Sequence, residues 1–147
     1  MMKNTEKITR VQLKISTTEE VAMFGIVSSE PDYKLSLSLN NKFKLSLKNI
    51  SPVIITDDKG NELAFSRFSD LNSATDVNFS LIANRTGKNF LVKKLKNVDY
   101  IFSVQEPDVE NNIGLITTKL KEFDIITAVF IIDSKSIKDK YLQYLIH

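Results

Sequence analysis

Five cations, Arg85, Lys88, Lys93, Lys94 and Lys96, fall within twelve residues, with no acid among them and Phe90 interleaved. Cations at that density can neutralise phosphates, and an aromatic ring among them can stack on an unpaired base. The same residues also suit a solvated loop and edge strand, where lysines discourage pairing with another chain. Downstream, the stretch from Asp99 to Asp133 holds seven acids against Lys119 and Lys121, a balance of −5. The basic and acidic stretches could pair within one chain or across a dimer. The whole chain carries only +2, too little by itself to argue for a nucleic-acid or membrane partner.

Other constellations carry less. Asp57-Asp58 could hold a hard cation, but no twelve-residue calcium-loop spacing follows, and aspartates favour turns on their own account. Thr86-Gly87-Lys88 lacks the first glycine of a phosphate loop, and Asn89 stands where that loop needs a hydroxyl. Asn84-Arg85-Thr86 is a formal glycosylation sequon, without meaning in a chain that is not secreted. Cysteine is absent and the single histidine is His147, the last residue. A general base needs a fixed position, so Ser-His-Asp, Cys-His and His-metal chemistry are not expected. No catalytic residue, metal or cofactor is predicted.

The supporting elements follow from periodicity. Met1–Arg10 is polar and reads as loose chain. Val11–Ile15 alternates as a short strand. Val21–Val27 is a nearly continuous apolar run, expected as a central strand buried on both faces. Pro31-Asp32 opens a helix over Asp32–Asn41, although Leu35, Leu37 and Leu39 also alternate as a strand would. Phe43–Lys48 reads as a strand. Pro52–Thr56 and Glu62–Phe68 form a hairpin around the four-residue loop Asp57–Gly60, and Asp76–Asn84 completes a meander. Phe90–Lys96 has no clear period. Val98–Gln105 is a strand in which Val98, Tyr100 and Phe102 share one face and Asp99, Ile101 and Ser103 the other. Ile113, Ile116, Leu120 and Phe123 make an amphipathic helix capped by Asn111 or Asn112. Asp124–Ile132 is the last strand, and Ser134 can cap a final helix. Phe65, Phe68, Phe79, Phe90, Phe102, Phe123 and Phe130 are expected in the core.

This order predicts one α+β domain over residues 1–147. Its sheet is mixed and mostly antiparallel, with two to three helices and a central β-meander. A ferredoxin-like split βαβ is the nearest common scheme. No apolar stretch reaches the roughly 20 residues of a spanning helix, and the N-terminus has no secretory pattern. A cytoplasmic protein that does not enter membranes is expected.

Three blocks together, Phe24-Gly25-Ile26-Val27-Ser28-Ser29-Glu30-Pro31-Asp32-Tyr33-Lys34-Leu35, Phe79-Ser80-Leu81-Ile82-Ala83-Asn84 and Val98-Asp99-Tyr100-Ile101-Phe102, resemble the bacterial IPExxxVDY family. Val98-Asp99-Tyr100 keeps half of that signature, whereas Val92-Lys93-Lys94 stands where Ile-Pro-Glu would. The resemblance implies a bacterial, cytoplasmic protein of about one domain and supports the helix over Asp32–Asn41. It brings no catalytic residue with it. Asp99 is read either as a structural tie or as a polar group beside a pocket. The function expected is that of a non-catalytic binding or assembly domain, as a homodimer or with a protein partner. RNA binding through Arg85–Lys96 and the sheet face, and small-ligand sensing, are the alternatives.

Overall fold

A computed structural model of the chain describes residues 21–71 and 77–133. The strand expected at Val11–Ile15 and the helix expected after Ser134 lie outside them. The described elements are β1 (Val21–Val27), α1 (Asp32–Phe43), β2 (Lys48–Thr56), β3 (Glu62–Leu71) and β4 (Asn78–Ala83). There follow the short strands β5 (Arg85–Thr86) and β6 (Asn89–Phe90), then β7 (Tyr100–Gln105), a 3-10 turn at Val109–Asn112, α2 (Ile113–Lys121) and β8 (Ala128–Ile132).

Six strands form one sheet in the order β2-β3-β4-β7-β1-β8, and every neighbouring pair is antiparallel. The α+β class and the mostly antiparallel sheet expected from the sequence are therefore observed. β2, β3 and β4 are the meander. β7 and β8 run parallel with β1 between them, so β7-α2-β8 is a split βαβ unit. β1 and β2 are also parallel but have three strands between them, so α1 crosses most of the sheet. β1 is interior and buried on both faces, as its unbroken apolar run requires.

Both helices lie on one face. Leu35 and Leu39 of α1 and Ile116 and Leu120 of α2 pack on Phe24, Phe68, Leu81 and Phe102. The Phe102 ring sits 5.8 Å from Phe43, 6.2 Å from Phe79 and 6.5 Å from Phe24, centroid to centroid. Each fully buried apolar side chain of this size contributes about 1.5–3 kcal/mol.

Several boundaries differ from expectation. Phe43 ends α1 and is not in a strand; Lys44 takes the left-handed conformation (φ 59°) that closes the helix. The Asn40-Asn41 pair does not stop the helix. Instead, Asn40 accepts the Leu47 N–H through Oδ1 at 2.8 Å and donates to the Leu47 carbonyl at 3.2 Å. Leu45 and Leu47 thereby serve the helix-side core from a loop, and their alternation marks burial without sheet pairing. The β2–β3 turn pairs Thr56 with Glu62, leaving five residues rather than four in the loop. Asp57 organises it, accepting the Lys59 and Asn61 N–H groups, and Gly60 supplies φ 84°. Hydrogen bonding, first from the Asn61 N–H, holds the Asp57 carboxyl below its ordinary value. The last strand starts at Ala128, after a turn through 124–127. Asn112 precedes α2 but makes no cap; its amide donates to Glu106. Phe130 is 42% exposed and so is no core residue.

Candidate functional site

The opposite face of the sheet is covered by the segment that follows β4. Arg85–Thr86 and Asn89–Phe90 pair as a minimal hairpin, with Gly87 at φ 60° in its turn. The chain then folds back, and Leu91, Val92, Leu95 and Val98 plug onto Met23, Val53, Phe65, Ile82, Ile101 and Ile132. The basic segment is therefore a cap over a second core, not an edge strand. A ferredoxin-like sheet offers RNA its open face for base stacking; here the cap occupies that ground. Gly25 of β1 makes room for it: a Cβ there would stand 2.8 Å from a Val98 methyl.

One side chain pins the cap. Asn84 is fully buried. Its Nδ2 donates to the Leu95 carbonyl at 2.9 Å and the Val98 carbonyl at 3.0 Å, and its Oδ1 accepts the Val92 N–H at 2.8 Å. Its backbone carbonyl takes the Leu91 N–H, and its N–H donates to the Asp99 carbonyl, both at 2.8 Å. A buried amide with this inventory used leaves no group for glycosylation in the folded state. The sequence reading passed over Asn84 as a sequon. The usable signal was a lone amide at the end of an apolar strand, since Asn side chains readily bond nearby backbone.

With the apolar residues turned inward, the cations face out. Lys88, Lys93, Lys94 and Lys96 are exposed, and none has an acidic partner among the described residues. Phe90 is half-buried, directly across the hairpin from Arg85. Arg85 itself is paired with Asp99.

Val98, Asp99 and Tyr100 do not alternate as one strand. Tyr100 and Phe102 face the helices, but Val98 belongs to the cap core on the other side. Regular pairing begins only at Tyr100, so the alternation does not extend back to Val98. Asp99 stands at the junction, with its side chain 13% exposed. Its Oδ1 takes the Arg85 guanidinium and its Oδ2 accepts the Ser28 N–H at 2.9 Å. Its backbone N–H donates to the Ile26 carbonyl at 2.9 Å. The Tyr100 hydroxyl donates to the Glu30 carbonyl at 2.6 Å. Burial pushes the Tyr100 phenol up to about 12; Asp32 and Asp99 act the same way and Arg85 opposes them. Ser28 completes the tie, donating through Oγ to the Ile125 carbonyl at 2.6 Å.

These groups border a shallow cleft of about 270 Å³, lined by residues 28–31, Arg85, Asp99 and Tyr100. Of the groups that could act as base or acid there, Asp99 and Tyr100 already hold internal hydrogen bonds and Glu30 is paired with Lys34 at 3.0 Å. Among the described residues no group of three metal-ligating side chains occurs, and no helix is long and apolar enough to cross a membrane. No protein-family model and no curated protein matches this chain.

Proposed function

We propose that this protein is a small non-catalytic binding domain, and that its binding surface is the outer side of the cap, Arg85 to Lys96. One observation carries the reading. Lys88, Lys93, Lys94 and Lys96 are held outward without acidic partners among the described residues, on a segment pinned by the buried Asn84. A preformed basic surface attracts anionic partners without an ordering cost. The absence of cysteine and the engaged state of Asp99 and Tyr100 support a role without catalysis. Membership of the IPExxxVDY family, a bacterial source and a cytoplasmic location go with this reading. In it, Val98-Asp99-Tyr100 is the structural tie between β1, β4 and the cap. The test is retention of the full chain on an immobilised polyanion at low salt. The native chain is retained and Lys93→Glu/Lys94→Glu passes through; equal passage of both would end the proposal.

A second reading, self-association, rests on the two sheet edges. β2 is blunted by Lys48, Pro52 and a register irregularity between Ile50 and Val53. β8 carries none of these devices, and Ile131 is 59% exposed on it. No described residue pairs with its outer edge, and such an edge is a template for pairing with a second copy. Light scattering at micromolar concentration checks this, and a monomer would count against it.

A further inference from the structure

We infer that the partner of the cap is single-stranded RNA, held through its phosphates with little regard to sequence; this rests on the reading of the cap as the binding surface. The outward composition decides between RNA and an acidic protein. Apart from the half-buried Phe90 and the partly buried Leu95, the cap presents lysine, asparagine, threonine, glycine and Arg85, and its large apolar residues Leu91, Val92 and Val98 are fully buried beneath. Protein interfaces need a desolvated apolar anchor and are depleted in lysine. Phosphate contacts are made by Lys, Arg, Asn and backbone N–H groups, which is this inventory. Free lysines are point charges without a bidentate fork, and the one guanidinium is already engaged by Asp99. Such a surface follows a backbone and does not read base edges. The cap occupies the middle of the sheet face beneath and leaves Phe130 of β8 exposed at its margin, so a row of bases cannot stack across that face. The half-buried Phe90, across the hairpin from Arg85, offers a stacking position beside the cations, which an unpaired base can reach and a duplex base cannot.

The experiment titrates the full chain with a fluorescent oligouridylate over a series of salt concentrations. Four lysine–phosphate contacts give a log–log salt slope of about −3, a loss of about fifty-fold in affinity between about 50 and 200 mM salt. In Lys93→Gln/Lys94→Gln the slope falls to about half while the melting temperature holds, since both side chains are exposed. The same titrations use duplex RNA and polyglutamate. Oligouridylate binding with the halved slope supports the inference. Equal binding of duplex RNA, or an unchanged slope in the variant, overturns it. Binding of polyglutamate without RNA overturns the inference but leaves the binding-surface reading standing. Binding of neither at low salt removes both.

Discussion

Replacing Asn84 with alanine tests the pinning of the cap. The change removes three hydrogen bonds from a fully buried position. The Leu95 carbonyl keeps a second donor, the Val98 N–H at 3.1 Å. The Val92 N–H and the Val98 carbonyl lose the side-chain partner that Asn84 supplied. Leaving a buried polar group unpaired costs about 1–3 kcal/mol, so two cost about 2–6 kcal/mol. A domain's whole stability is about 5–15 kcal/mol, so the variant is close to the threshold of folding or opens locally at the cap. Urea unfolding followed by far-UV circular dichroism measures the change, because the chain has no tryptophan. Amide exchange then separates the two outcomes. Global loss raises exchange at Ile101 and Phe102 as much as at Val92 and Leu95; local opening raises it at the cap alone. A loss below about 0.5 kcal/mol, the size of an indifferent surface change, would refute the argument. Asn84→Asp adds a sign. A carboxylate there keeps the Val92 N–H but faces two carbonyls, so the protonated form is favoured and the folded-state value rises. Stability is then present at low pH and lost as pH rises through that folded value.

Three further outcomes follow from the same geometry. Gly25→Ala should cost about 1–3 kcal/mol by overpacking against Val98, and a double-mutant cycle with Val98→Ala should recover most of it. Asp99→Asn keeps an acceptor for the Ser28 N–H and loses an ion pair whose Arg85 end stays open to water, so it should cost about 1 kcal/mol. Asp99→Ala also leaves that N–H unpaired and should cost about 1–3 kcal/mol; equal losses would contradict the tie. Tyr100 has a folded value of about 12 against an unfolded value near 10. Its contribution is complete below the unfolded value and is lost as pH rises from about 10 through about 12. Spectrophotometric titration should show a late-titrating tyrosine that Tyr100→Phe removes.

The local patterns carried much of this molecule in plain view. Val21–Val27 reads as an interior strand because both its faces are apolar, and it is one. Asp57 to Gly60 reads as a turn because aspartate and glycine satisfy its hydrogen bonds and positive φ locally. The α+β class follows from such elements in order. The five cations of the candidate surface were also legible, since exposure of charge needs no knowledge of neighbours. What the sequence could not express is pairing over distance. Phe90–Lys96 has no period because past Phe90, where β6 ends, it is neither helix nor strand; its buried apolar residues meet a sheet face built from β1, β2, β3, β4, β7 and β8. Val98 leaves the alternation of its own strand because the nearest apolar ground is on the far side, where Gly25 has no side chain. Asn84 reads from the sequence only as part of a sequon, yet it is buried because the cap's backbone needs its amide. Each of these depends on residues brought together by the sheet, and only the tertiary structure states which side chains those are.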